Sequence, residues 1–481
     1  MAGAVGHRVD QTAVAASALG CPVSPPVNRM SELLLLGFAT LITTVAFVMV
    51  AADQRQPLGT GLLVFAVAYL ALFGCAHVVI RRFAPCADPL LLPITALLNG
   101  LGLVMIYRLD LADAGVTGTG AHGRSSYQQM LWTLAGVVAF CLVVVFVRDH
   151  RRLARYAYVC GAAGLVLLAI PAVLPRSLSE QNGAKIWIRL PGFTMEPAEL
   201  AKILLLVFVA AVLVDKREMF TSAGTHVLGM NLPRPRDLAP LLAALAISMS
   251  VMVFETDLGA ALLVFASFLA MVYIATGKLS WVGIGLLLFA AASVLAYHLF
   301  GHVRVRVQNW IDPFADPDGA GYQMVQSMFS FATGGLFGTG LGNGQPGTVP
   351  VASSDFIMAA FGEELGLVGL AAVLMLYTIL IMRGLRTAIV VRDSFGKLLG
   401  AGLACTLAIQ VFLVVGGVTK LIPQTGLTTP WMSYGGSSLL ANYVLLALLV
   451  RVSDAARRPV GPPVPAQTPI ADAGTQIIER R

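Results

Sequence analysis

Charged side chains set into apolar sequence are the residues that could do chemistry in this 481-residue chain. Carboxylates lie at or near the ends of apolar runs, at Glu199, Glu255, Asp257, Glu363 and Glu364, and in the long loop 301–355, at Asp312, Asp316 and Asp355. The cations that accompany them are Lys185, Arg189, Lys202, Arg304, Arg306 and Lys420. A positioned carboxylate can accept a proton as a general base, and a group of cations can bind a phosphate-like anion. Ionised groups at membrane depth persist when they are paired or functional, so these positions are candidate site residues.

Several of these carboxylates also have a structural interpretation. Glu199 and Lys202 are three residues apart on a predicted helix, so they share a face and can pair for a structural or a catalytic reason. Asp257 lies at a short connection, where it can be the N-cap of the next helix. Glu363 and Glu364 fall in the early turns of an apolar segment, and at least one is expected to face a wet cavity.

Two stretches of the chain have turn chemistry. Residues 312–323 read DPFADPDGAGYQ, and Asp-Pro and Asp-Gly pairs are common turn formers, so Asp312 and Asp316 can have either a turn role or a chemical role. Residues 334–344 are rich in glycine but do not fit the G-x-G-x-x-G nucleotide pattern. They predict tight turns and close backbone packing, with contact to a substrate phosphate as the alternative.

Composition limits the class of protein. Hydrophobic residues make up 57% of the chain and charged residues 12%, about half the usual charged fraction of roughly 25%. This excludes a cytosolic enzyme, a disordered chain, a collagen-like fibre and a small disulfide-linked domain. The net charge is +7, and the Lys and Arg residues that produce it lie mainly between the apolar segments. This pattern indicates membrane topology rather than a nucleic-acid partner. We therefore expect an all-α polytopic integral membrane protein.

Twelve apolar segments are candidates for membrane spans. They are centred on residues 32–52, 61–80, 89–107, 129–147, 155–174, 198–215, 238–254, 258–276, 280–300, 357–382, 398–419 and 436–452. Lys and Arg are more than twice as frequent on the side that holds both termini, which predicts a multi-pass protein with cytoplasmic termini.

The segments outside these spans differ in character. Residues 1–30 and the Pro-rich residues 453–481 predict disordered cytoplasmic tails. The outer loop 175–197 is expected to lie on the membrane surface, and the outer loop 301–355 is long enough to contain short helices of its own.

Several short motifs carry a family resemblance. They are GAKIW (183–187), EPAELAK (196–202), ETDLG (255–259), DPDGAGYQ (316–323), DFI (355–357), EELG (363–366), PQTGL (423–427) and SYGGSS (433–438). In these motifs the chain resembles the SEDS family of peptidoglycan polymerases, which includes RodA and FtsW. The resemblance covers residues 81–452, and the pattern is closest to the elongation member, RodA.

The resemblance implies a ten-helix core over residues 81–452, so residues 31–80 are expected to form two additional N-terminal helices. Asp316 matches the family's catalytic aspartate. Glu199 and Lys202 match a functionally important ion pair.

The chain departs from the family pattern at two positions. Ile186 stands where many members have arginine, which leaves open which cation of that loop contacts the substrate. Thr256 stands where proline is common, which is expected to change only the turn.

The activity implied by the resemblance is an inverting glycosyltransferase. It would polymerise lipid II at the outer face of the cytoplasmic membrane during cell elongation and cell-shape maintenance, with Asp316 as the base. Candidate cations for the substrate and its pyrophosphate are Lys185, Arg189, Arg304, Arg306 and Lys420. A divalent cation, Mg²⁺ or Mn²⁺, could share that work. The expected partners are lipid II, membrane lipids and a class B penicillin-binding protein that acts as transpeptidase.

Three alternatives stay open at this stage. A flippase would use the same charges as a translocation path, the division paralogue FtsW would share the chemistry, and a scaffold would only recruit a transpeptidase. A flippase should place ionisable residues through the span interiors and on both sides. Here the carboxylates concentrate in outer loops and outer helix ends, which favours the enzyme.

Overall fold

The computed structural model describes residues 29–56, 59–117, 124–180, 185–190, 193–216, 224–227, 230–233 and 235–458. The predicted tails fall largely outside these residues. The last helix continues to Arg457, beyond the predicted boundary at 452, and its residues Ser453 and Asp454 are buried.

The architecture is a helical bundle. In chain order its helices are α1 (Arg29–Asp53), α2 (Thr60–Phe83), α3 (Leu91–Thr117), α4 (Arg124–Phe146), α5 (Arg151–Arg155), α6 (Ala157–Val173), α7 (Arg176–Ser179), α8 (Pro197–Asp215), α9 (Pro235–Phe254), α10 (Leu258–Thr276), α11 (Leu279–Leu299), α12 (Gly301–Ile311), α13 (Tyr322–Gly334), α14 (Ile357–Val390), α15 (Ser394–Val418) and α16 (Gly436–Arg457). Short 3₁₀ turns occupy Pro313–Ala315 and Pro346–Thr348. Antiparallel hairpins pair β1 (Ile188–Leu190) with β2 (Phe193–Met195), and β3 (Gly224–Val227) with β4 (Met230–Pro233).

All twelve predicted apolar segments are helical, but two of these helices are shorter than a membrane span, so the predicted count of twelve spans is not confirmed. Ten of the described helices are long and apolar enough to cross a membrane. The other two apolar stretches are α6 and residues 239–254 of α9, which are shorter. The 17 residues of α6 extend about 25 Å, less than the roughly 30 Å of a hydrocarbon core. Each of these helices contains a proline, Pro171 in α6 and Pro240 in α9.

The helices differ in how deeply they are buried. In α16, 83% of the apolar window is buried inside the bundle, and α3, α8 and α15 are similarly central. In α11 only 6% is buried, and this helix packs against α10 and α12 with its other faces exposed. The predicted span 280–300 is therefore a peripheral helix.

The bundle has two polar ends. At the terminal end, where α1 begins and α16 ends, the Arg29 guanidinium donates to Ala87 O at 3.0 Å, and Asp454 Oδ1 accepts from Cys86 N at 2.9 Å. The opposite end, here called the loop end, holds the starts of α8, α10, α14 and α16 and the long segment 300–356. As predicted, this segment contains short helices, α12 and α13.

Helix α14 is broken at Gly366, where φ is 68° and ψ is −172°. The break leaves peptide N–H and C=O groups without partners inside the helix, and residues 335–340 form hydrogen bonds with them. Leu367 N donates to Gly335 O at 3.0 Å, and Gly340 N donates to Glu364 O at 2.9 Å. A Cβ on Gly366 would lie 2.3 Å from Gly338 N, so only glycine allows this approach. The glycine-rich stretch thus has the predicted role of tight turns and close packing.

Gly366→Ala is predicted to lower the free energy of unfolding by about 2 kcal/mol or more, because alanine is both strained at this φ and too large for the contact. The matched control is Gly74→Ala in α2, since a Cβ on Gly74 would meet no atom within 4 Å. Thermal unfolding in detergent measures both variants, and equal transition temperatures would contradict the packing role of Gly366.

Candidate active site

The ion pair predicted from helical spacing is formed at the start of α8. Lys202 Nζ contacts Glu199 Oε2, and it also donates to Gln410 Oε1 at 3.0 Å. Gln410 Nε2 in turn donates to Thr428 O at 3.0 Å. Pro197 in the first turn starts α8 where an N–H would otherwise lack a partner. All three polar side chains are buried, so each charge depends on its partners in this network.

Asp257 is the N-cap of α10, as predicted, and its Oδ1 accepts from Ala260 N at 3.0 Å. The turn before it differs from the family pattern, because Thr256 has a φ of 66°. Proline fixes φ near −65° and cannot take this conformation. The first turn of α10 approaches the loop after α15, since a Cβ on Gly259 would lie 2.2 Å from Thr425 O. The ETDLG motif is therefore packed against the PQTGL motif.

Four carboxylates lie close enough at this end for their charges to interact. Burial, together with the charges of Glu199 and Asp257, raises the pKa of Glu196. Burial also raises the pKa of Asp257 to about 6, and Glu199 and Asp355 add to this effect while Arg306 opposes it. Burial raises the pKa of Asp355 as well. The site therefore concentrates negative charge around few cations, and proton binding becomes easier.

Besides Lys202, which pairs with Glu199, Arg306 is the predicted cation that faces this cluster. Its Nη1 donates to Gln424 O and Thr425 O, each at 3.4 Å. Its Nη2 and Asp355 Oδ2 both lie within 4 Å of the place where a Cβ on Gly426 would stand. Arg306 therefore joins α12 to the PQTGL loop beside a carboxylate.

The structure does not bring the other predicted cations to the same place. Arg304 is exposed and lies over the ring of Tyr297, at 5.7 Å from its centroid. Lys185 Nζ donates to Ala172 O at 2.6 Å, and Arg189 is exposed on β1. Lys420 is half-buried, and its carbonyl accepts from Trp310 Nε1 at 3.2 Å.

Asp312 and Asp316 are both exposed, and both hold turns. Asp312 Oδ1 accepts from Phe314 N at 3.1 Å, which caps the 3₁₀ turn. Asp316 Oδ2 accepts from Ala320 N at 2.9 Å. The turn interpretation thus holds for both, and the exposed carboxylate of Asp316 stays open for chemistry.

Glu255 is buried at the end of α9, and its Oε1 has no hydrogen-bond partner among the described residues. Burial and the nearby charge of Asp257 raise the pKa of Glu255 to about 8, although Lys185 opposes this effect. At neutral pH its carboxyl therefore holds a proton in most molecules.

Glu363 and Glu364 bind the chain itself. Both are buried, Glu363 Oε1 accepts from Gln345 N at 2.6 Å, and Glu364 Oε2 accepts from Gly342 N at 3.0 Å. Both side chains are thus fixed by hydrogen bonds within the chain, and the expectation that at least one of them faces a wet cavity stays a prediction.

Sequence reasoning missed the buried partner of Glu364. Arg108 Nε donates to Glu364 Oε1 at 3.0 Å, and Arg108 Nη2 donates to Gly344 O at 2.6 Å. The predicted span 89–107 stops just before Arg108, whereas α3 continues to Thr117. Gln410 was missed too, and its signal was an amide in the middle of an apolar segment.

This architecture is that of a multi-pass α-helical membrane protein with its carboxylate cluster at one end. The chain belongs to the family of the FtsW, RodA and SpoVE cell cycle proteins, whose sequence profile matches residues 89–458. It is 68% identical over 461 residues to the peptidoglycan glycosyltransferase RodA of Mycobacterium tuberculosis, covering 95% of this chain and 98% of the relative.

Two solved structures share this fold. One is a chain of a peptidoglycan synthase complex that coordinates polymerization and crosslinking, at 28% identity and a TM-score of 0.61, covering 77% of this chain and 98% of that one. The other is the rod shape determining protein RodA of Thermus thermophilus, at 26% identity and a TM-score of 0.55, covering 76% and 96%.

Lys202→Met is predicted to lower the free energy of unfolding by about 3 kcal/mol, because it leaves Glu199 buried without its cation. The double variant Glu199→Gln with Lys202→Met should lose less of the free energy of unfolding, since it leaves no buried charge unpaired. Thermal unfolding of the wild type, both single variants and the double variant gives the coupling between the two residues. Additive losses would contradict a coupled buried pair.

The raised pKa of Glu255 predicts pH-dependent stability. The carboxyl titrates at about 8 in the folded chain against an ordinary 4.5, so over that interval the folded state holds a proton that the unfolded state has lost. The free energy of unfolding therefore falls as pH rises through the interval. In unfolding scans from pH 5 to 9, Glu255→Gln should reduce the slope. Glu180→Gln, at a more exposed glutamate, should retain it, and identical slopes in both variants would refute the prediction.

Proposed function

We propose that this chain is a peptidoglycan glycosyltransferase of the elongation type, which polymerises lipid II at the outer face of the cytoplasmic membrane. Its family membership and its identity to a RodA support the reaction class. One structural observation carries the choice of an enzyme over a transporter. The Asp, Glu, Lys and Arg side chains of the described spans lie toward the helix ends rather than in the middle of the spans. A translocation path would need charged groups through that middle.

The proposed reaction joins two lipid-linked sugars. The acceptor 4-hydroxyl oxygen bonds to the donor's anomeric carbon, the bond from that carbon to the pyrophosphate oxygen breaks, and the anomeric centre inverts. The hydroxyl proton passes to Asp316, and the polyprenyl pyrophosphate leaves with the electron pair. A pyrophosphate is already a weak base, so its departure needs charge neutralisation rather than an acid.

Asp316 suits the role of base because it is exposed and its turn is rigid. A Cβ on Gly319 would lie 2.4 Å from Asp316 Oδ2, so the DPDG turn closes tightly over the carboxylate. The hydrogen bond from Ala320 N orients the carboxylate. The same bond is available to asparagine, which lets a variant separate charge from turn geometry.

Arg306 is the proposed pyrophosphate ligand with the strongest structural support, because it lies beside the buried carboxylate cluster and is held by the PQTGL loop. Arg304 and Lys420, with Lys185 and Arg189 from the other loop, are proposed to attract the anionic substrate from more exposed positions.

Metal assistance has less support from the site. Among the residues that the structure describes, no three His, Cys, Asp or Glu side chains form a group that could hold a metal ion. A divalent cation such as Mg²⁺ or Mn²⁺ could still be held by one or two carboxylates together with the substrate's pyrophosphate, and the steps proposed above do not require one.

We also propose cytoplasmic termini and a class B penicillin-binding protein as partner. The excess of Lys and Arg beside the terminal end supports this orientation. The similarity to a chain of a synthase complex that coordinates polymerization with crosslinking supports a transpeptidase partner.

Asp316→Asn is predicted to lower the rate of polymer formation about 10²-fold or more, since it removes the base but keeps the turn. Asp312→Asn should retain activity, because asparagine is an equally good cap. The assay measures glycan polymer from purified lipid II by the detergent-solubilised protein with its transpeptidase partner. Equal polymer from both variants and the wild type would refute Asp316 as the base. No polymer from a folded, partner-bound wild type would favour a flippase or a scaffold.

A further inference from the structure

Helices α1 and α2 precede the part of the chain that matches the family profile, which begins at residue 89. The match to the mycobacterial RodA covers 95% of this chain, so the matched part must include at least part of these two helices. The two helices are therefore an addition to the family core, and the mycobacterial relative has this addition too. The reaction proposed above gives them no role.

The end of α1 contacts the glycine-rich segment directly. Gln54 Nε2 donates to Gly342 O at 2.7 Å. The Asn343 amide can be placed in two orientations, and one of them satisfies both its oxygen and its nitrogen. In that orientation its nitrogen donates to both carboxylate oxygens of Asp53 at 3.0 Å. A Cβ on Gly342 would lie 2.9 Å from Asp53 Cβ, so this contact is close as well as polar.

Apolar packing continues this contact into the membrane. Leu341 packs on a small cluster formed by Ala46 and Val50 of α1 and Val104 of α3. Beside it, the rings of Phe47 and Tyr107 stack at 4.4 Å. Residues 341–343 are thus fixed against α1 by apolar and polar contacts together.

Helix α1 is itself held along its length. Its first residue, Arg29, pairs with Glu32 and donates to Pro85 O at 2.8 Å. In the middle, Thr43 lies where a Cβ on Gly100 of α3 would stand, at 2.2 Å. A helix fixed at both ends and in the middle can act as a rigid support for the loop that it contacts.

The supported segment leads into the candidate site. Gly342 N and Gln345 N bind Glu364 and Glu363 beside the break in α14. Residues 346–355 then reach Asp355, where Tyr434 N donates to Ser353 O at 2.8 Å. A shift of residues 341–343 would therefore move the chain that carries Asp355 beside Arg306.

We propose that α1, with α2 packed against it, is a positioning element for the active site. Helix α1 clamps residues 341–343 and so holds the break in α14 and the segment 345–355 in register. Asp53 and Gln54 are positioning residues, since they act through the glycine-rich segment. The part of this inference that concerns catalysis rests on the proposed glycosyltransferase function.

The test uses a swap of the polar pair in the full-length protein. Asn343→Asp places two carboxylates against each other, and adding Asp53→Asn restores an amide and a carboxylate in exchanged positions. Gln54→Ala removes the second contact. Gln56→Ala is its matched control, because the Gln56 backbone bonds to Ala51 O and its side chain has no described hydrogen bond.

Two readouts separate the clamp from the chemistry. Hydrogen exchange of backbone amides in residues 336–349 should become about threefold to tenfold faster in Asn343→Asp and in Gln54→Ala. It should return toward the wild-type rate in the swapped double variant, and Gln56→Ala should leave it unchanged. The kcat of lipid II polymerisation should fall and recover in the same order, with little change in KM.

The outcomes distinguish the two proposals. Unchanged exchange in Asn343→Asp and Gln54→Ala, or no recovery in the double variant, would overturn the clamp. Faster exchange with an unchanged kcat would overturn the positioning role. If exchange responds as expected but the wild type forms no polymer, the clamp stands and the proposed function fails.

Discussion

The loop end depends on one constraint, which is that peptide groups inside a membrane protein must find hydrogen-bond partners within the chain. The break in α14 at Gly366 creates such groups, and residues 335–340 satisfy them. Because this segment must approach the helix backbone, it contains glycine where side chains would collide. The ion pair of Arg108 and Glu364 then fixes residues 342–344, because Gly342 N donates to Glu364 and Arg108 donates to Gly344 O. The geometry of the candidate site is therefore built outward from a broken helix.

Burial sets the charge state of that site. The carboxylates outnumber the cations that face them, and burial raises the pKa of Asp257 to about 6 and that of Glu255 to about 8. At neutral pH Glu255 is mostly protonated while Asp257 is mostly ionised, so Glu255 makes the site less negative than its residues suggest and lowers the repulsion that an anionic pyrophosphate substrate would meet. Arg306 adds positive charge beside Asp355. Asp316 is exposed and lies outside this buried cluster.

Local patterns predicted the parts of the structure that depend on near neighbours in the chain. Every predicted apolar segment is a helix, Asp257 caps α10, and Glu199 pairs with Lys202 one turn away. Helix ends and lengths were less predictable, because α3 and α16 continue past their apolar windows into residues that find polar partners. The φ of Thr256 also could not be read from the sequence, since the surrounding turn imposes it.

The sequence by itself determined the class of the protein, the positions of its apolar helices, its family motifs and the list of candidate charged residues. These follow from composition and from spacing, which act over a few residues. Only the tertiary structure decided which charges meet. It paired Arg108 with Glu364, separated Arg304 from Arg306 and placed α1 against residues 341–343. Such contacts join residues far apart in the chain, and the packing of whole helices, rather than any local preference, brings them together.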